Sequence, residues 1–161
     1  MEKKIVFSLA IICCVVSFAL AVSPTNRKLK LYVSGSSMEP LLTDGETILA
    51  TKVRSPSELP GDYPVCIFYG ESDAVLVKRL IGYPGDEVEL SDGATYVNGS
   101  CIMDQTSNSW DNMKFHVPDD GYLFLGDNRG ASADARHWAE TYVPGSAIIG
   151  YIPDSGLEVN K

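Results

Sequence analysis

The sequence predicts a mainly β domain of coiled antiparallel sheets, barrel-like in outline, behind one N-terminal transmembrane helix. Three observations predict it. Short apolar or alternating runs recur at roughly ten-residue intervals. Gly, Asp and Asn turn signals separate those runs. An apolar run of eighteen residues, Ile5–Val22, stands at the N-terminus.

That run comes first in the chain. It is broken only by Ser8 and Ser17, follows Met1–Lys4 and precedes Ser23-Pro24. At about 1.5 Å per residue it reaches roughly 27 Å, enough to cross a bilayer core. A cleavable secretory signal is the rival reading, because Ala19-Leu20-Ala21 has the small-x-small form of a cleavage site. Either reading sends the chain to the membrane. Basic residues flank both ends (Lys3 and Lys4; Arg27, Lys28 and Lys30), so charge does not settle orientation. The chain divides into an anchor with its flank (1–22), a polar linker (23–30) and one soluble domain (31–161), with a small cap or excursion near 91–120.

The strands follow in order. Leu31-Tyr32-Val33 runs into the loop Ser34-Gly35-Ser36-Ser37. Thr47–Ala50 follows an Asp44-Gly45 turn, and Val65–Tyr69 follows Pro60-Gly61-Asp62. Val75–Ile81 ends at Gly82. Glu87–Leu90 alternates, and Thr95–Val97 ends in Asn98-Gly99, a strong hairpin signal. Tyr122–Leu125 ends at Gly126-Asp127-Asn128, and Ala147–Ile152 closes the domain. Asp104–Phe115 reads as a polar surface excursion, and only Ser132–Glu140 invites a short helix.

Composition narrows the function. Hydrophobic residues make up 45% of the chain, which argues against disorder. The formal charge is −8, from 13 basic and 21 acidic side chains, with no basic patch, which argues against a nucleic-acid partner. Cys13 and Cys14 sit in the apolar run as small hydrophobes. Cys66 and Cys101 are either two thiols in strands or an export-side disulfide. No Cys/His spacing resembles a zinc site, and 126–136 lacks the ligand spacing of a calcium loop, so no metal is expected.

Three segments carry side chains able to do chemistry. Lys78 lies in Val75-Leu76-Val77-Lys78-Arg79-Leu80-Ile81, where strand alternation puts it on one face with Leu76 and Leu80. A buried lysine is driven toward the neutral amine and can act as a general base, whereas a surface lysine snorkels to water. Ser37 sits in a Gly/Ser loop leaving a strand, where backbone N–H groups can face a developing oxyanion; an ordinary turn has the same composition. The third segment, Gly126-Asp127-Asn128-Arg129-Gly130-Ala131-Ser132-Ala133-Asp134-Ala135-Arg136, alternates charges within a tight loop suited to ion pairs.

Together these segments resemble the type I signal peptidases of bacteria. SGSSMEP resembles the family's nucleophile box, VLVKRLIGYPGDEVEL its lysine box and GDNRGASADAR its closing box. The resemblance runs from Leu31 to about Pro153 and includes an N-terminal anchor. It implies Ser37 as nucleophile, Lys78 as general base and Ser132 as the hydroxyl that holds the lysine amine. It also implies an oxyanion site built on the backbone around Gly35 and Ser36, with Met38 lining a substrate groove. Asp127, Arg129, Asp134 and Arg136 brace the closing loop. The implied partners are secretory pre-proteins, cut after small residues, and the lipid bilayer. The enzyme is then a cofactor-free monomer of the cell membrane, single-pass, with its catalytic domain on the extracytoplasmic side. Departures are Leu41 for a usual threonine, Ala135 for a serine and Ala139 for a glycine. Gly35 stands where some members carry a side-chain oxyanion donor.

Three alternatives remain. A Ser-His-Asp triad would have to use His116 or His137, the only histidines. A self-cleaving repressor would share a Ser-Lys dyad but not the apolar run or the closing box. An inactive family member acting in assembly would have lost the dyad residues, which are present here.

Overall fold

The computed structural model describes residues 17–18, 27–104 and 112–154. The expected transmembrane helix, Ala19-Leu20-Ala21, Cys13, Cys14 and Trp110 fall outside these residues, apart from Ser17–Phe18. Among the described residues no helix is long and apolar enough to cross a membrane.

The strands are β1 (Ser17–Phe18), β2 (Lys28–Tyr32), β3 (Thr47–Lys52), β4 (Val65–Tyr69), β5 (Val75–Gly82) and β6 (Glu87–Ser91), followed by β7 (Ala94–Val97), β8 (Ser100–Asp104), β9 (Met113–His116), β10 (Gly121–Leu125), β11 (Val143–Pro144) and β12 (Ile148–Ile152). An eight-stranded sheet has the order β1-β2-β3-β12-β4-β5-β10-β11, and a four-stranded sheet the order β8-β7-β6-β9. All pairings are antiparallel, and the sheets curl into a half-barrel, the mainly β class expected.

Alternation explains the outer strands. In β3, Ile48 and Ala50 are buried and their neighbours are not; in β2, Leu31 is buried while Lys28, Lys30 and Tyr32 face out. The central strand β5 is covered on both faces. Val77 joins a core with Met38, Leu42 and Ile48, whereas Leu76 and Leu80 join Cys66, Phe68 and Phe124. At its end, Ile81 packs with Val88, Val97 and Phe115 of the small sheet. A Cβ at Gly82 would lie 2.8 Å from Val117 and 3.0 Å from Val88, so only glycine fits where the two sheets meet.

Several expectations change. The segment 23–30 is not all linker: β2 starts at Lys28 and pairs along its whole length with β3. The excursion at Asp104–Phe115 is flanked by strands β8 and β9, and β9 pairs with β6 through Val88↔Phe115 and Leu90↔Met113. Polar residues hid these strands because their outer faces meet solvent. No helix forms over Ser132–Glu140. One turn is closed where His137 N–H and Trp138 N–H both donate to Asp134 O, and the Asp134 side chain bonds the preceding loop instead. Cys66 is buried and Cys101 exposed, and both are free thiols.

Candidate active site

β5 and the loop after β2 meet at one hydrogen bond. Lys78 Nζ and Ser37 Oγ lie 2.6 Å apart, with Lys78 0% and Ser37 1% exposed. Lys78 shares its strand face with Leu76 and Leu80, as alternation requires, and stands across from Cys66 on β4. Burial pushes the Cys66 thiol up to about 12, with Arg79 opposing weakly, so it stays a neutral thiol beside the amine.

The nucleophile loop is held from two sides. On one side, Gly35 N–H donates to Asp44 Oδ1 at 2.7 Å, and Gly45 N–H donates to Val33 O. On the other, Asn128 N–H donates to Ser37 O at 3.0 Å and Asn128 Nδ2 donates to Ser36 O at 3.1 Å. The Ser37 N–H donates to nothing among the described residues, while that of Gly35 is committed to Asp44. Gly35 has φ +93°, a backbone state that a side chain resists.

The closing loop is a polar scaffold in its own right. Asp134, fully buried, accepts from Gly126 N–H at 2.9 Å and from Arg136 Nε at 2.8 Å. Burial alone would raise the Asp134 carboxyl, but the Arg136 guanidinium and the Gly126 N–H outweigh it and hold the group below its ordinary value. Arg136 Nη2 also donates to Arg129 O. Arg129 donates to Gly126 O and, across to the small sheet, to Thr95 Oγ1 at 3.0 Å. Asp127 takes a two-pronged pair from Arg79, Nε and Nη2 each at 2.7 Å. The neighbours Lys78 and Arg79 therefore face opposite ways, one to Ser37 and one to the loop that pins Ser37.

Ser132 is buried, and its Oγ makes no hydrogen bond of normal geometry, although it is close enough to Asp134 to help lower that carboxyl slightly. It packs on Gly126: a Cβ there would collide with Ser132 Oγ and come within 2.7 Å of Ser37 O. Met38, expected at a groove, has its side chain fully buried with Leu31, Leu42 and Val77. The side-chain partner of Ser37 Oγ is Lys78, and neither histidine bonds it among the described residues. His116 is exposed on β9 near Glu87, and His137 is 58% exposed with Nδ1 4.0 Å from Asp134. Among the described residues no His, Cys, Asp and Glu cluster could hold a metal.

The arrangement can support nucleophilic attack at Ser37 with Lys78 as proton acceptor. A family model described as "Signal peptidase, peptidase S26" matches residues 3–153. The chain belongs to that family. The family is one of serine peptidases, and the curated relatives the chain matches are type I signal peptidases. A probable signal peptidase I-2 of Synechocystis is 34% identical over 74% of this chain and 58% of its own length. Signal peptidase I V of Bacillus subtilis is 30% identical over 88% of this chain and 94% of its own. A crystal structure of a signal peptidase I from Enterococcus faecalis aligns with TM-score 0.50 at 26% identity, covering 60% of this chain and 98% of that one. The chain thus spans little more than half of the Synechocystis relative and nearly all of the B. subtilis one.

Reading the signal-peptidase boxes missed the roles of Asn128, Gly126 and Asp44. Asn128 and Gly126 had a signal, since both stand inside the closing box. Asp44 was legible only as part of a turn, and nothing in the sequence pointed from Thr95 to Arg129.

Proposed function

We propose that this chain removes signal peptides from exported pre-proteins by a Ser-Lys dyad. The observation that carries the reading is the Lys78–Ser37 hydrogen bond inside a fully buried site. Taking an ammonium out of water favours the neutral amine, which can accept the Ser37 Oγ proton. Oγ then attacks the scissile carbonyl, and the Ser37 N–H, unengaged within the described protein, faces the oxyanion. The Lys78 ammonium gives its proton to the departing amine. The neutral amine next takes a proton from water as the water oxygen attacks the acyl ester, and the resulting ammonium gives that proton to Ser37 Oγ as the ester bond breaks. Ser132 orients the Lys78 amine. Asp127, Arg129, Asp134 and Arg136 hold the loop that positions Ser37, Gly35 and Ser36 shape the oxyanion side, and Met38 forms the floor beneath the nucleophile loop.

The substrate lies extended along a strand edge and is cut after small residues. Ile5–Val22 anchors the enzyme as a single span with its catalytic domain outside the cytoplasm; in support, the family match begins at residue 3 and so includes this run. The enzyme acts as a monomer at the bilayer.

The test uses the full chain in detergent with a secretory pre-protein, comparing wild type, Ser37→Ala and Lys78→Ala, with product N-termini sequenced. Cleavage after a small-x-small site, lost in both variants, is expected. Loss in Ser37→Ala alone would remove Lys78 as the base.

A further inference from the structure

One buried nucleophilic group takes no part in the mechanism above. Cys66 of β4 is paired in register with Lys78 of β5, so the two side chains leave neighbouring strands on the same face. Side chains so placed have their Cβ atoms about 5 Å apart. Both residues are 0% exposed. The Cys66 thiol donates to Pro64 O at 3.7 Å, so its hydrogen is directed back along β4. The sulfur then offers its neighbour only a weak acceptor. Burial, opposed weakly by Arg79, keeps the thiol protonated, so it carries no charge near neutral pH.

Other groups bear on the amine as well. The nucleophile loop brings Ser37 Oγ to 2.6 Å from it. The closing loop carries Ser132, placed above as the hydroxyl that orients it. The charges on these elements are bonded to one another or to backbone: Arg79 to Asp127, Arg136 to Asp134, Arg129 to Gly126 O and Asp44 to Gly35 N–H. Glu39 is partly exposed and His137 is exposed. Tyr151 of β12 stands one strand further along the row, across from Cys66. On β4 the face shared with Lys78 otherwise carries Phe68, which is apolar. Cys66 is thus the polarisable neighbour that β4 gives the base.

We propose that Cys66 is a positioning residue for the base: by giving the Lys78 ammonium no strong acceptor, its thiol keeps Lys78 competent near neutral pH. This step rests on the dyad reading above. Hydrogen bonding to the charged form of a group favours that form. A hydroxyl on the same Cβ would donate to Pro64 O as the thiol does, and would present oxygen lone pairs to the ammonium. The thiol withholds that support. An alanine withholds it too, while leaving the sulfur's place empty. One neutral acceptor is worth about tenfold in the ammonium's favour, which is about one pH unit.

The experiment uses the full chain in detergent with one secretory pre-protein, and follows kcat/KM from about pH 5 to about pH 10. Wild type should show an acid limb, where activity rises as the amine loses its proton. A stabilised ammonium holds that proton to higher pH, so the limb moves up. Cys66→Ser and Cys66→Thr should each move it by about one pH unit, cutting kcat/KM about tenfold on the limb and little on the plateau above. Cys66→Ala should leave the limb in place, whatever it does to the plateau. The position of the limb does not depend on how much enzyme is folded, so loss of active protein cannot mimic the shift. Limbs that coincide in wild type and both hydroxyl variants overturn the proposal and leave the protease reading standing. So does an alanine limb that moves as far as theirs, or loss of cleavage at every pH in both hydroxyl variants. Full cleavage by Lys78→Ala overturns both readings.

Discussion

Lys78 and Gly126 show how little space the dyad leaves for error. Lys78 reaches Ser37 from a fully apolar strand face, and the loop that fixes Ser37 O passes over Gly126 with no room for a methyl group. Gly126→Ala must displace either Ser132 or the Ser37 carbonyl. Overpacking of this kind costs about 1–3 kcal/mol. We expect a drop of that size in urea unfolding, together with a fall in kcat of about tenfold or more while KM changes little. A loss of stability with kcat intact would detach Gly126 from the nucleophile's geometry. Asp134 makes a pH prediction. Its carboxyl is held below the ordinary 3.8, so the native state binds its proton less readily than the unfolded chain does. The stabilisation is therefore complete above the unfolded value and is lost as pH falls through the folded one. Unfolding free energy measured from about pH 6 down to about pH 2 should fall more steeply in wild type than in Asp134→Asn. The variant itself should be about 3 kcal/mol less stable at neutral pH, since it strips Arg136 of a buried partner. Parallel pH curves would assign the acid sensitivity to other carboxylates.

At the scale of elements, β5 carries two neighbouring cations to two destinations. Alternation alone sends Lys78 and Arg79 to opposite faces, and this much was legible in the sequence because the strand is long, aliphatic and bounded by Gly82. The destination of Arg79 was not legible, because Asp127 lies 48 residues away and becomes its partner only through the β5–β10 pairing. The short polar strands β8 and β9 escaped for a related reason: a strand with one solvated face and few apolar residues gives no periodic signal until its partner is known. The expected helix over Ser132–Glu140 failed because Asp134 spends its side chain on Gly126 and Arg136, contacts that local propensity does not contain. The Arg79–Asp127 pair is bidentate, and a lysine can supply only one prong. Arg79→Lys should lower kcat about tenfold with a small change in stability, and Asp127→Asn should behave alike. Their double variant should lose less than the product of the two, as measured in a double-mutant cycle on kcat/KM. Full additivity would mean that the two side chains act independently.

On the scale of the molecule, the two sheets share a core at Ile81, Val88, Leu123 and Phe115, and a polar bond joins them next to the site. Arg129, nearly buried, takes its bonds from both bodies: Gly126 O in the closing loop and Thr95 Oγ1 in β7, with Met103 Sδ of β8 at 3.8 Å. The small sheet thereby supports the loop that supports Ser37, at a distance the sequence boxes do not record. Thr95→Val keeps the shape and the β-branch and removes only the acceptor. A buried hydrogen bond to a charged donor is worth about 1.5–3 kcal/mol, and leaving the donor short of a partner sets the sign. Urea unfolding of Thr95→Val should show a loss of that order with the m-value unchanged, because the surface exposed on unfolding is the same. Cleavage at temperatures well below the transition should stay within about twofold of wild type, since Arg129 keeps its bond to Gly126 O. Arg129→Met removes the bonds to Gly126 O and Thr95 Oγ1 together, and should lower stability further and kcat as well. If Thr95→Val instead depressed kcat as strongly as Arg129→Met, the small sheet would be setting the geometry of the nucleophile loop directly rather than bearing its load.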